Sequence, residues 1–239
     1  MPEIPWWQAA FAAGYEQVYA HRNDAAAAAE ITGLLPRLSR APGAVLDAGC
    51  GNGRHLQALR AAGLSAFGFD LSPQLLASAR IRTSCQGRLV RADMRVPPLA
   101  GGWGAIVLLF TAFGYFDDAA NAALLRRLAG MLAPGGWLVL DLPEPVRLRA
   151  GLVAASERSG CDGLVIRERR RLVGSRVEKD VTMTRAGEVL TSWRESVRIY
   201  EAAEIAALAG AAGATLVETW PGLRGPVNDE GRHVHWLRR

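Results

Sequence analysis

The sequence predicts an α/β fold in which a mostly parallel sheet carries helices on both faces. Three observations support this. Between about Gly43 and Pro143, apolar runs of strand length alternate with helical segments. The first run ends in a glycine-rich turn that opens a helix, and the alternation resumes near Glu201 after a polar, strand-like stretch interrupts it. With 239 residues, 50% hydrophobic and 21% charged, the chain is long enough to bury a substantial core and too apolar to be disordered. We expect one domain: residues 1–40 as an N-terminal helical lid, 41–143 as the ligand-binding core, 144–200 as an inserted antiparallel β flap, and 201–239 as the last helix and strands of the core.

Taken in order, residues 6–38 have a helical pattern. Trp7, Phe11, Tyr15 and Tyr19 recur every four residues and share one helix face. The stripe serves either core packing or a lid over a ligand. Asn23 or Asp24 can cap a second, alanine-rich helix. Strands follow at Ala44–Leu46, Ala66–Phe69, Arg88–Ala92, Ala105–Phe110 and Trp137–Leu142. Between them lie helices at Arg54–Ala62, at Ser72–Arg82 behind a Ser-Pro start, and at Asn121–Leu132 ahead of Pro134-Gly135-Gly136. Three polar runs, Leu164–Val173, Arg176–Arg185 and Val189–Tyr200, are separated by Gly174-Ser175 and Ala186-Gly187. They predict a hairpin or three-stranded flap. A helix over Glu201–Gly210 and strands at Ala214–Trp220 and Val234–Leu237 complete the pattern.

Of 28 basic residues only Lys179 is lysine, and the net charge is +5. This balance permits an anionic partner such as RNA without requiring one, and a GC-rich coding sequence would give the same bias. Cys50, Cys85 and Cys161 form no C-x-x-C pair and are odd in number, so neither a disulfide framework nor a thiolate metal site is expected. The Met-Pro-Glu-Ile-Pro start lacks the basic and apolar regions of a signal peptide. The longest apolar stretch, Ala105–Phe116, is interrupted and shorter than the roughly 18 residues of a spanning helix. A cytoplasmic protein without membrane contact is expected.

The densest chemical signal is Asp47-Ala-Gly-Cys-Gly-Asn-Gly53, a strand end running into a turn and a helix. Three glycines let the backbone turn tightly and approach a ligand, and the helix start offers free N–H groups. An acid beside the turn repels a pyrophosphate but suits a cation or an amino-acid ammonium group. Asp70, 17 residues after Gly53, can accept from both hydroxyls of a ribose. Asp93 and Met94 can hold an adenine, one on its exocyclic amine and the other on its ring; alternatively, Asp93 is a turn or cap residue.

Together these segments resemble a class I S-adenosylmethionine-dependent methyltransferase. The resemblance runs through residues 47–53, Phe69-Asp70-Leu71-Ser72, Ala92-Asp93-Met94, Phe110-Thr-Ala-Phe-Gly-Tyr115 and Leu132-Ala-Pro-Gly-Gly136. It implies a Rossmann-like, seven-stranded sheet whose final strand runs antiparallel. It also implies that S-adenosylmethionine is the cofactor, with Asp47, Gly49, Gly51 and Gly53 around the methionine part and Asp70 on the ribose. Leu71, Asp93 and Met94 would surround the adenine, with the Phe110 main chain near the amino-acid end. Within the superfamily, the Gly53-Arg-His55 continuation, the Phe-Gly-Tyr segment and the flap resemble N- or O-methyltransferases of small molecules and short peptides.

A general base is optional for an amine acceptor and useful for a hydroxyl. The histidines are His21, His55, His233 and His235. The last two flank Val234 on one strand face without a third metal ligand and suit structural roles. His55, Tyr19 and Tyr115 are the catalytic candidates. Tyr15, Tyr19, Phe113, Tyr115 and Arg167 are the candidates for contacting the acceptor. On the flap, Arg167, Arg169 and Arg171 share a face and Arg170 takes the other. The row offers a second reading, methylation of RNA or a protein partner, unless Glu168, Glu178 and Glu195 pair with it. The Asn/Asp-Pro-Pro-Tyr/Phe motif of base-amino methyltransferases is absent after the fourth strand. A nicotinamide-type oxidoreductase or non-catalytic binding module is the remote alternative, and the G-x-G-x-G spacing argues against a dinucleotide. The acceptor and the oligomeric state stay open.

Overall fold

The structure is a computed structural model that describes residues 5–11, 18–19, 23–83 and 88–239. Tyr15, His21 and Cys85 lie outside the described residues.

The lid begins with α1 (Trp6–Ala10) and continues in α2 (Asp24–Leu38). Asn23 caps α2, its side chain accepting from the Ala26 amide at 2.9 Å. The core then alternates β1 (Val45–Ala48), α3 (Arg54–Ala61), β2 (Ala66–Asp70), α4 (Pro73–Thr83), β3 (Leu89–Arg91), β4 (Trp103–Leu108), α5 (Asp118–Met131) and β5 (Leu132–Pro143). It ends with α7 (Ala202–Ala211), β10 (Thr215–Trp220) and β11 (Arg232–Arg238). These strands form one seven-stranded sheet in the order β10-β11-β5-β4-β1-β2-β3, parallel except for β11, which runs antiparallel to both neighbours. The resemblance implied this architecture.

Alternation along the strands explains why both faces are covered. Leu46, Ile106, Leu108 and Leu140 enter one apolar core with Leu124 and Leu128 of α5 and Ile205 of α7. Their strand neighbours Val45, Val107 and Val139 enter the opposite core with Ile31 and Leu34 of α2 and Leu56 of α3. The strand order reverses between β1 and β4, opening a crevice at their carboxyl ends.

Between β5 and α7 lie α6 (Pro145–Ala150), β6 (Ala155–Ser159), β7 (Leu164–Val173), β8 (Arg176–Arg185) and β9 (Glu188–Arg198). The flap therefore has four antiparallel strands, one more than the three expected. The extra strand, β6, reads Ala-Ser-Glu-Arg-Ser and lies on the edge, with no fully buried residue. It therefore lacks the apolar alternation that marks a half-buried strand. Leu164, Ile166, Val181, Met183 and Trp193 of the flap pack under Ala10 and Val18 of the lid. Arg176 binds the flap to the post-β4 loop, donating to the Phe116 carbonyl at 3.1 Å and the Gly114 carbonyl at 3.2 Å. No helix of the described residues is long and apolar enough to cross a membrane.

Candidate active site

The loops after β1 to β4 converge at the strand reversal around a cavity of about 490 Å3, roofed by Trp7, Phe11 and Tyr19 of the lid. Such a volume suits a cofactor-sized ligand. The turn after β1 is left-handed at alternate residues, with φ of 75° at Gly49, 53° at Gly51 and 80° at Gly53. Gly53 is the N-cap of α3, and a Cβ on Gly49 would lie 3.3 Å from the Met94 methyl. The turn therefore presses its backbone against the cavity.

Asp47 lines the cavity and is 2% exposed, and its Oδ2 has no hydrogen-bond partner among the described residues. Burial, reinforced by the nearby Asp70 charge and opposed by Arg54, pushes its carboxyl up to about 7. Arg54, the first residue of α3, lines the same cavity at 9% exposure. Its buried Nη1 likewise has no hydrogen-bond partner, the nearest carboxylate oxygen being Glu30 Oε2 at 3.9 Å.

Asp70 ends β2. Its Oδ2 accepts from the Gly51 amide at 2.9 Å and its Oδ1 from the Ser72 amide at 2.8 Å, while burial raises its carboxyl against those bonds. Both oxygens retain lone pairs for a further donor. Ser72 Oγ donates to the Phe11 carbonyl at 2.7 Å, tying the lid to this turn. Asp93 is both a turn residue and one face of the cavity: its Oδ1 accepts from the Arg95 amide at 2.9 Å, and Arg95 Nη2 reaches its Oδ2 at 2.7 Å. These bonds hold its carboxyl below the usual range.

His55 lines the cavity, with Nε2 at 2.6 Å from Glu30 Oε2. Burial lowers the imidazole against the pull of Glu30. Burial would raise Glu30, but the His55 bond and the Arg54 charge outweigh it and hold it low. The pair is therefore a neutral imidazole donating Nε2–H to a carboxylate, which ties that nitrogen to α2. Of the two histidines expected in structural roles, His235 is fully buried with Nδ1 at 2.9 Å from Thr219 Oγ1.

The post-β4 segment carries the strongest backbone distortion. Phe110 and Thr111 are consecutive non-glycine residues in the left-handed region, with φ of 65° and 61°, torsions that cost about 1–3 kcal/mol each and persist only where the surroundings impose them. The imposing group is Asp141 of β5, fully buried. Its Oδ2 accepts from the Phe110 amide at 2.7 Å and its carbonyl from the Thr111 amide at 3.0 Å. Arg232, at the start of β11, pairs with Asp141 Oδ1 and donates Nη2 to Thr111 Oγ1 at 3.0 Å. The Arg54 and Arg232 guanidinium groups both approach the Phe110 ring, at 4.9 and 5.4 Å from its centroid.

A smaller chamber of about 160 Å3 opens beside the main one and shares Phe11, Tyr19, Phe110 and Tyr115 with it. Trp6, Glu195 and Arg232 line its far side. Trp6, Phe11 and Tyr115 form an aromatic cluster at its edge, with centroids 5.0 and 5.6 Å from that of Tyr115.

Asp47, Gly49, Gly51, Asp70, Leu71, Asp93, Met94, Phe110, His55, Tyr19 and Tyr115 are thus brought to one cavity, and Gly53 caps the helix behind it. Two residues expected near the acceptor are not there. Phe113 is fully buried in the core against Tyr200, centroids 5.2 Å apart, because the loop turns its ring away from the chamber. Arg167 points outward on the exposed flap face and pairs with Glu157 at 2.6 Å. Arg171 of the same row pairs with Glu178 and with Asp180, the latter at 2.8 Å. Sequence reading missed Arg54, Glu30, Asp141 and Arg232. Only Arg54 had a signal, its position at the helix start directly after the glycine turn.

A family model described as a methyltransferase domain matches residues 45–136. An amino-sugar enzyme of Streptomyces fradiae, dTDP-3-amino-3,6-dideoxy-alpha-D-glucopyranose N,N-dimethyltransferase, is 33% identical over 135 residues, covering 54% of this chain and 52% of the relative. Demethylmenaquinone methyltransferase of Thermus thermophilus is 36% identical over 122 residues, covering 48% and 54%. The chain thus spans about half the length of these curated relatives. Among solved structures, an amino pentose methyltransferase of Micromonospora echinaspora with bound S-adenosylmethionine is 27% identical with a TM-score of 0.71, covering 94% of this chain and 96% of that one. The CcbJ methyltransferase of Streptomyces caelestis shares the fold at a TM-score of 0.79 and 20% identity, covering 97% and 98%. Fold, glycine turn and matched segment define a class I methyltransferase domain. Over residues 45–136 the chain matches a methyltransferase domain, and it shares the fold of S-adenosylmethionine-dependent methyltransferases.

Proposed function

We propose that the protein transfers a methyl group from S-adenosylmethionine to a nitrogen or oxygen nucleophile of a small molecule or short peptide. The observation that supports this best is the pair of buried, oppositely charged groups in the cavity wall, Asp47 and Arg54, each with one polar atom lacking a hydrogen-bond partner among the described residues. Burying such atoms unpaired is costly, and an amino acid's ammonium and carboxylate would satisfy both. The residues present therefore fit the methionine end of the cofactor. Asp70 would take the ribose hydroxyls, with Leu71, Asp93 and Met94 around the adenine.

When bound, S-adenosylmethionine supplies a methyl group on a sulfonium that is already a good leaving group. The chain's own contribution is alignment and exclusion of water, which in favourable cases is worth about 7–11 kcal/mol. The lid aromatics roof the cavity and the flap residues Glu195 and Val197 wall the side chamber, which has Tyr19 and Tyr115 at its junction with the main cavity and is the place for the acceptor. Tyr19 and Tyr115 would position the nucleophile. His55, its Nε2 occupied by Glu30, would serve as packing and hydrogen-bonding support rather than as a base. Because the Streptomyces fradiae relative is named as an N,N-dimethyltransferase of an amino sugar, amines are the first acceptors to try.

Calorimetric titration with S-adenosylmethionine and with NADH, followed by transfer of labelled methyl to a panel of amines and alcohols, tests this reading. Saturable binding of S-adenosylmethionine and labelled product are expected. Tighter binding of NADH would overturn it.

A further inference from the structure

The charged groups at the cavity include one pair that the cofactor reading does not use. Arg232 lies at the start of β11 and Asp141 near the end of β5, adjacent strands of the sheet. Asp141 is fully buried and takes the Phe110 amide on one carboxylate oxygen and Arg232 on the other. Arg232 Nη2 bridges onward to Thr111 Oγ1 at 3.0 Å and to the Asp141 carbonyl at 3.2 Å. One guanidinium thus fastens the side chain of Thr111 and both polar ends of Asp141, which itself fixes the amides of Phe110 and Thr111. Those two residues hold left-handed torsions that non-glycine residues rarely adopt.

The position of the clamp gives it a functional consequence. Phe110 lines both the main cavity and the side chamber, and Thr111 and Arg232 line the side chamber. We infer that Arg232 is a positioning residue which, through Asp141, locks Phe110 and Thr111 in their left-handed conformation and so sets the acceptor chamber against the cofactor cavity. The inference rests on the proposed reading for its role in transfer but not for the clamp itself. Lysine cannot replace the planar fork that reaches Asp141 and Thr111 together.

The test uses Arg232→Met, the double variant Arg232→Met/Thr111→Gly, and hydrogen exchange of the ligand-free protein over the peptide 109–116. In the wild type this peptide exchanges slowly. In Arg232→Met it exchanges at least about tenfold faster, while peptides from β1 and β4 keep their rates. In the double variant a glycine supplies the left-handed torsion at 111 without the clamp, so protection returns in part. With bound cofactor and acceptor, kcat per folded enzyme falls about 100-fold in Arg232→Met and recovers partly in the double variant, which loss of stability alone would not produce.

Unchanged exchange at 109–116 in Arg232→Met overturns the clamp, whatever the protein binds. Faster exchange with kcat unchanged per folded enzyme overturns its role in transfer. If the wild type fails to bind S-adenosylmethionine while the exchange difference stands, the proposed function fails and the clamp survives.

Discussion

Asp47 and Arg54 flank the glycine turn, one at the end of β1 and the other at the start of α3, and each buries in the same cavity wall a polar atom that has no hydrogen-bond partner among the described residues. The separation is set by the left-handed turn between them, so a ligand that bridges them must carry a cationic and an anionic group on one small frame.

Asp47→Asn should therefore stabilise the ligand-free protein while weakening cofactor binding. The sign follows from the raised carboxyl, about 7 against an ordinary 3.8. Between those values the folded protein holds a proton that the unfolded chain releases, so stability is withheld progressively as pH rises through this window and fully above it. Thermal unfolding near pH 8 should show the variant more stable by a few kcal/mol, with the gain vanishing near pH 4. In the wild type, cofactor affinity should fall as pH drops below about 7 and Asp47 takes up its proton, and Asn should flatten that dependence. Equal affinity of wild type and variant at pH 8 would remove Asp47 from the site.

Arg54→Met is expected to cost about tenfold or more in affinity for S-adenosylmethionine, the value of a charge-assisted hydrogen bond. A decarboxylated analogue gives a sharper measurement. The wild type should bind it worse than the natural cofactor, and Arg54→Met should not distinguish the two. A variant that still prefers the natural cofactor to the same degree would mean that its carboxylate lies elsewhere.

These two residues also illustrate what a sequence exposes. Asp47 was legible because the glycine turn beside it constrains the backbone, and local chain geometry is written in local residue types. The sheet was legible for a similar reason: Leu46, Ile106 and Leu140 alternate with Val45, Val107 and Val139, so both faces show in the pattern. Asp141 and Arg232 were not, because they act across 91 positions of sequence, and a buried carboxylate in an apolar strand has no local mark. Phe113 and Phe116 are near neighbours and chemically identical, yet one enters the core against Tyr200 and the other lines the cavity against Trp7. The left-handed torsions of Phe110 and Thr111 decide the direction of the segment, and those torsions come from Asp141. Strand β6 was missed because edge pairing to β7 needs no apolar face.

The arginine row of the flap yields a prediction of little effect. Arg167 and Arg171 are exposed and spend their charge on Glu157, Glu178 and Asp180, and exposed pairs of this kind contribute little to stability. Replacing Arg167, Arg169 and Arg171 with alanine should leave the melting temperature nearly unchanged and the affinity for S-adenosylmethionine within about twofold. Retention of RNA at moderate salt by the wild type, lost in the triple variant, would instead assign the row to a nucleic-acid partner.

The flap's only lysine is expected to behave differently from its arginines. Lys179 is 11% exposed at its side chain and lies 2.9 Å from Glu195 Oε2 and 3.6 Å from Glu168 Oε1, and it donates to the Tyr19 hydroxyl at 2.5 Å. Burial alone would lower its ammonium, but Glu195 and Tyr19 outweigh it and raise it above the ordinary 10.5. A raised amine contributes stability that is present below the unfolded value and lost as pH rises through the folded one, so the wild type should weaken only in strong alkali. Lys179→Met leaves Glu195 without its cation, whereas Glu168 keeps Arg170 and Arg158, and should cost about 1–3 kcal/mol near neutral pH. Lys179→Met/Glu195→Gln should regain part of that loss. Tyr19→Phe removes the hydroxyl while keeping the ring over the chamber; it should change stability by less than about 1.5 kcal/mol but lower kcat more than it raises the acceptor KM. A Tyr19→Phe enzyme with wild-type kcat would reduce Tyr19 to packing and return the flap's ion pair to a purely structural role.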